Sequence, residues 1–210
     1  MYSNKCILQI GSHEGDSVND PMYRHVDSTT RLFLVEPVPY IFARLKRNYM
    51  TRFPDSSNIV YINMAVSDHI GEIELTVPSE TNDYANLPFW ASQLASVDPL
   101  HATNHIPGLL VERIRIHTTT IDEILRTYNI QTLDVLHTDT EGHDYTILMA
   151  YSFRIKPRKI IFEHQHMDGI FTVGAKYREL SDRLVALGYT KTHQSFEDTV
   201  FELANFGALV

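Results

Sequence analysis

The residues best suited to chemistry stand at the ends of apolar runs. Gly11 and Gly15 close the run Lys5–Ile10, and Glu36 closes a second run, Arg31–Val35, 21 positions beyond Gly15. Glycine suits a turn where backbone approaches a ligand closely. A carboxylate at the tip of a second strand, about 20 residues past such a turn, is placed to accept hydrogen bonds from ribose hydroxyls. Gly11 and Gly15 lack the third glycine of the dinucleotide fingerprint. Strand, glycine loop, helix, strand and acid together therefore carry more than the glycines alone. Two later tips are dense in ionisable groups: Asp139-Thr140-Glu141-Gly142-His143-Asp144 and Glu163-His164-Gln165-His166. Asp139 and Glu163, on strands expected to be neighbours, can share a substrate hydroxyl or a divalent ion, for which carboxylates favour Mg²⁺ or Mn²⁺. His143 and His164 are imidazoles that titrate near neutral pH and suit a general base. His143 can equally begin the helix that follows it, and His164 and His166 can be ordinary strand-end histidines.

These tips need parallel strands alternating with helices. Pro21 predicts a short or broken helix between Asp16 and Val26. Apolar residues at helical spacing predict a helix over Pro39–Tyr49, with proline at its start. Asn58–Asp68 reads as one strand. Glu72–Val77 and Leu110–His117 alternate polar with apolar residues, the pattern of half-exposed antiparallel strands. Between them Pro78–Gly108 has no clean periodicity, and a loop of that length is expected to act as a functional lid. Thr120 and Glu123 form a capping-box pattern for a helix ending near Asn129. Thr132–Asp139 and Pro157–His166 are two further strands, the first followed by a helix, Tyr145–Tyr151. An amphipathic helix, Val173–Leu187, stops at Gly188, and Tyr189–His193 with Thr199–Leu203 closes the chain as a hairpin. No repeat or linker divides the sequence, which predicts one domain over 1–210 with 78–110 as an insertion.

The 210 residues suffice for one α/β core. A formal charge of −8 argues against nucleic acid or an anionic membrane as partner. Arg44, Lys46, Arg47 and Arg52 read as a solvated helix face. One cysteine, Cys6, fits a reducing compartment, and its place in the first strand makes it a small buried hydrophobe. With no signal-peptide pattern and no membrane-spanning run, the expectation is a soluble, cytoplasmic protein.

The ordered motifs resemble the FkbM family of S-adenosylmethionine-dependent methyltransferases. Gln9-Ile10-Gly11-Ser12-His13-Glu14-Gly15-Asp16 matches that family's first loop, with Gln9 where the family usually carries an acid and His13 where it carries asparagine. Glu36-Pro37-Val38-Pro39 matches its second-strand tip. Asn63 to Asp68 with Gly71, Thr120-Ile121-Asp122 and Asp139 to Asp144 match three later motifs. The resemblance runs from about Lys5 to Glu163. It implies an α/β fold: a Rossmann-like class I methyltransferase domain with a mostly parallel central sheet, an antiparallel C-terminal hairpin strand and a small inserted β-hairpin. It implies S-adenosylmethionine bound by Gly11, Ser12, His13, Gly15, Asp16, Glu36, Pro37, Met64, Ala65 and Asp139. It further implies methyl transfer to a hydroxyl of a sugar, glycan or small molecule, served by Asp139, Glu141, His143, Glu163 and His164. Two other readings stay open. One is a catalytically inactive cofactor-binding module that recruits a partner, for which Gln9 speaks. The other is an NAD-dependent oxidoreductase on the same fold class, against which the missing glycine counts.

Overall fold

The computed structural model describes residues 4–15 and 21–204. Asp16 therefore lies outside the described residues. In chain order the elements are β1 (Cys6–Ile10), α1 (Pro21–His25), β2 (Arg31–Val35), α2 (Pro39–Arg52), β3 (Ile59–Ile62), β4 (Ala65–Val66) and β5 (Gly71–Pro78). There follow α3 (His101–His105), β6 (Val111–Thr119), α4 (Ile121–Thr127), β7 (Val135–Thr138), α5 (Asp144–Ala150), β8 (Lys159–Glu163), α6 (Ala175–Ala186), β9 (Tyr189–Gln194) and β10 (Asp198–Leu203).

The main sheet has the order β3-β2-β1-β7-β8-β10-β9, parallel except where β10 runs antiparallel to β8 and β9. All five residues of β1 are buried, as a strand covered on both faces requires. Its side chains alternate between layers. Leu8 and Ile10 join a core with Ile124, Leu136 and Leu180, whereas Ile7 packs with Leu32, Leu34 and Tyr49 on the other face. Cys6 is buried as expected, and burial pushes its thiol up to about 11.

Register decides which tips meet. Ile10 pairs with Val35 on one side and with Thr138 on the other. The residues that follow each strand, Gly11, Glu36 and Asp139, thus emerge side by side. Strand order reverses between β1 and β7, and ligands bind at such a switch point, beyond the carboxyl ends of the strands. The junction is tight. The Asp139 N–H donates to the Ile10 carbonyl at 3.0 Å, and the Gly11 N–H donates to the Val35 carbonyl at 3.0 Å. A Cβ on Gly11 would fall 1.7 Å from the Asp139 carbonyl oxygen.

Three expectations change. Asn58–Asp68 is not one strand. After β3 the Asn63 side-chain amide donates to the Glu36 and Pro37 carbonyls at 2.8 and 3.0 Å, and the turned chain enters a second sheet, ordered β4-β6-β5. In that sheet β5 and β6 pair antiparallel from Gly71↔Thr118 to Pro78↔Val111, as their alternation predicts. The insertion 78–110 is folded rather than a bare loop. It carries two short 3₁₀ turns and α3, and Leu94, Ala102 and Leu109 form a small core of its own. Ser96 exchanges two backbone hydrogen bonds with Thr76 of β5 at 2.9 and 3.0 Å. The capping box of α4 is half made: Thr120 Oγ1 accepts from the Glu123 N–H at 3.1 Å, but the Glu123 carboxylate turns to Arg126 instead. Arg44 of the basic helix face is paired with Glu14 and Glu80.

Gly11 and Gly108 both have positive φ, at +79° and +85°, but a Cβ at Gly108 would meet nothing within 4 Å. Gly108→Ala should lose about 1 kcal/mol of stability from backbone strain alone. Gly11→Ala adds a clash with backbone and should lose at least about 3 kcal/mol. Urea unfolding of both variants checks this, and equal midpoints would remove the claim that Gly11 sets the β1–β7 junction.

Candidate active site

A cavity of about 500 Å³ opens over the β1–β7 switch point, within the size range of small-ligand sites. Glu36 and Asp139 both line it. One wall is the glycine loop with the β2 and β3 tips. Gly11, Ser12, His13, Pro37, Met64 and Ala65 all line the cavity. Glu36 is buried, and its two oxygens are aimed by backbone donors: Oε2 accepts from the His13 N–H at 3.0 Å and Oε1 from the Val38 N–H at 2.8 Å. Burial raises its carboxyl to about 7, against the pull of those two donors. Gly15 is the exception on this wall. It does not line the cavity, and a Cβ there would strike Leu45 and Tyr49 of α2 at 2.5–2.9 Å. Its smallness serves helix packing, not a ligand.

The opposite wall comes from the β7 and β8 tips. Asp139, Glu141, His143 and Glu163 line it. The loop after β7 is held by Asp144, fully buried, whose Oδ2 accepts from the Thr140 N–H at 3.1 Å and from Thr140 Oγ1 at 2.6 Å. Glu141 is driven into the left-handed region at φ +52°, a costly conformation for a residue with a Cβ. Gly142 follows at φ +95°, where a Cβ would lie 2.8 Å from the His166 carbonyl oxygen. From the insertion, Ser96 Oγ donates to the Glu141 carbonyl at 2.9 Å. Glu141 Oε2 lies 2.7 Å from His101 Nε2, and Glu163 Oε1 makes a short contact with His166 Nδ1.

His143 opens α5 through its backbone, its carbonyl accepting from the Ile147 N–H at 3.2 Å, but its side chain makes no cap bond and is left for another partner. Its Nε2 lies 3.0 Å from Ser67 Oγ, and burial lowers its pKa, so the ring is neutral near pH 7. His164 is turned away from the cavity. Its Nδ1 meets Thr199 Oγ1 at 3.1 Å, and its ring packs on Tyr177 at 5.3 Å. The physical reason is the turn that follows β8: the His164 N–H bonds the Glu197 carbonyl at 2.9 Å, and the imidazole that returns to the cavity is His166.

The electrostatics are one-sided. Glu36, Asp139, Glu141, Glu163, Glu197 and Asp198 line the cavity, and among the described residues no lysine or arginine does. Asp139 faces the open cleft, but enclosure and then the charge of Glu141 push its carboxyl well above the usual carboxylate range. Burial, then Glu141 and Asp139, do the same to Glu163.

A profile of the Methyltransferase FkbM domain matches residues 9–194. The chain belongs to the FkbM methyltransferase family. The crystal structure of an FkbM methyltransferase from Methylobacillus flagellatus KT matches 95% of this chain at 14% identity and a TM-score of 0.55, and this chain spans 43% of that protein's length. Aeropyrum pernix fibrillarin, solved with natively bound S-adenosyl-L-methionine, matches 96% of this chain and 67% of its own at 12% identity and a TM-score of 0.49. Among curated proteins no significant match is found. The main sheet is the Rossmann-like sheet of class I methyltransferases. No helix among the described residues is long and apolar enough to cross a membrane.

In this FkbM domain several cavity residues escape sequence reasoning. His137, buried in β7, is paired in register with Gln9; a histidine inside an apolar run was the available sign. His105, on α3 with His101, reaches the cavity from the insertion, and their four-residue spacing was legible. Phe89, Phe171 and Phe196 line the mouth, all more than half exposed.

Glu36 generates a pH prediction. A carboxyl raised from 4.5 to about 7 in the fold holds its proton longer there than in the unfolded chain. Its contribution to stability is full below pH 4.5 and is lost as pH rises through about 7. The loss is on the order of 3 kcal/mol across that window. Glu36→Gln cannot ionise, so its stability should fall less steeply between those pH values, measured by urea unfolding across the range. Parallel profiles would refute the assignment.

Proposed function

We propose that this chain is an S-adenosylmethionine-dependent methyltransferase whose acceptor is a hydroxyl of an uncharged sugar, glycan or small molecule. The observation that carries the reading is the acid-lined cavity at the switch point, with Glu36 at the tip of β2 and no lysine or arginine lining it among the described residues. A sulfonium is a cation and gains from such a lining, whereas the pyrophosphate of NAD would meet a surplus of like charge there with no lysine or arginine to offset it. The same lining disfavours phosphate-bearing acceptors, nucleic acids included.

Bound in this cavity, S-adenosylmethionine supplies an electrophilic methyl group. The chain's own residues do the rest. The turned backbone from Gly11 to His13 would hold the amino-acid end. Glu36 would accept hydrogen bonds from the ribose hydroxyls, and Pro37, Met64 and Ala65 would enclose the base. Asp139, on the strand tip beside β1, would offer the carboxyl that Gln9 lacks. The wall of Asp139, Glu141, His143 and Glu163 faces the acceptor. There the acceptor hydroxyl would be oriented toward the methyl group, and neutral His143 would take the hydroxyl proton as the acceptor oxygen is methylated. Phe89, Phe171 and Phe196 offer a mouth suited to the flat apolar face of a sugar or aromatic ring, in keeping with the functional meaning of exposed apolar patches. The single buried cysteine supports a cytoplasmic location. The inactive-module reading rests on Gln9 alone.

The test is direct. S-adenosylhomocysteine at saturation should raise the melting temperature by roughly 5 °C or more, and NAD should leave it unchanged. His143→Gln should retain that shift while lowering methyl transfer to a hydroxylated acceptor by about 100-fold, in line with loss of a general base. A shift with NAD alone would discard the reading, and binding without turnover across an acceptor panel would favour the inactive module.

A further inference from the structure

The inserted segment does more than cover the cavity, since it carries two imidazoles to the strand tips. His101 and His105 stand four residues apart on α3, so both leave the same helix face. His166 comes to meet them from the turn after β8. The ring centroids form a triangle with sides of 4.7 Å (His101–His105), 4.9 Å (His101–His166) and 4.9 Å (His105–His166). One nitrogen of each ring lies within 4.8 Å of one nitrogen of the other two, and Glu141, Glu163 and His166 make a second group of the same kind.

Ring packing alone does not account for the cluster. Nε2 of His105, Nε2 of His166 and Oε2 of Glu163 are buried without a hydrogen-bond partner, and each such atom costs on the order of 1–3 kcal/mol. His166 and Glu163 are each more than nine-tenths buried. Glu163 also engages Nδ1 of His166. That contact fixes the ring and leaves Nε2 as the free donor, the arrangement in which a carboxylate supports a metal-bound histidine.

We propose that His101, His105 and His166, with Glu141 beside them, bind a divalent transition-metal ion of the Zn²⁺ class. The donor set decides the metal. Three imidazoles suit Zn²⁺, Co²⁺ or Ni²⁺, whereas Mg²⁺ and Mn²⁺ prefer oxygen ligands. The Asp139–Glu163 pair that the sequence offers for Mg²⁺ or Mn²⁺ is not where donors converge, because Asp139 belongs to neither group. Zn–N bonds of about 2.0 Å put ligand nitrogens about 3.3 Å apart, so the rings close by at most about 1.5 Å when the ion enters. The ion ties α3 to the loops after β7 and β8 and makes the cover and the acceptor wall one body. His105, His166 and Glu141 line the cavity, so an open coordination position there would meet the acceptor. Only this last point rests on the proposed function.

The chain, stripped with a chelator, is titrated with Co²⁺ and then Zn²⁺ against a competing indicator. One equivalent of Co²⁺ should bind with visible ligand-field absorption, be displaced by Zn²⁺, and raise the melting temperature, with Mg²⁺ inactive. His101→Gln/His105→Gln should weaken Zn²⁺ binding by about 100-fold or more, while S-adenosylhomocysteine still shifts its melting temperature. If that variant does not fold, Zn²⁺ on the unaltered chain should move the ring resonances of His101, His105 and His166 and spare those of exposed His117 and His193. Failure to bind Co²⁺, an undiminished double variant, or unmoved ring resonances would overturn the site and leave the cofactor reading intact.

Discussion

The molecule depends on how closely β1 approaches β7. Their tips are locked by the bond from the Asp139 N–H to the Ile10 carbonyl, and Gly11 leaves no room there for a side chain. That contact sets the sheet's switch point and brings Gly11, Glu36 and Asp139 to one opening. The cavity, the loop strained at Glu141 and the cover held by Ser96 are all built outward from it.

A second constraint is charge. Carboxylates crowd the cavity and no lysine or arginine answers them among the described residues. Enclosure and mutual repulsion raise several of these carboxyls above their ordinary range, Glu36 to about 7 and Asp198 to about 6. Each raised carboxyl holds its proton more tightly in the fold than in the unfolded chain, and a cation brought beside it favours the ionised form. The site's chemistry and the protein's pH response therefore share one origin.

Strand tips were legible in the sequence because apolar runs ending in glycine or acid fit little else in an α/β chain. The antiparallel pair β5–β6 was legible from its period of two, and the family from five motifs in order. What was not legible arose where local pattern yields to tertiary contact. Gly15 looks like a ligand glycine, but the space beside it belongs to Leu45 and Tyr49. His164 and His166 are alike in sequence, and only the turn bonded to Glu197 decides which faces the cavity. The insertion lacks periodicity because its pieces are too short to show any, yet their small core fixes His101 and His105 in place.

Cys6 has a consequence of its own. It is the chain's sole thiol, at the first position of a fully buried central strand and held as the unreactive protonated form by burial. An alkylating reagent reaches it when that end of the strand opens. The rate of its modification is thus an intrinsic clock for opening at the foot of β1, and the closed protein shields its thiol from oxidants by its own architecture.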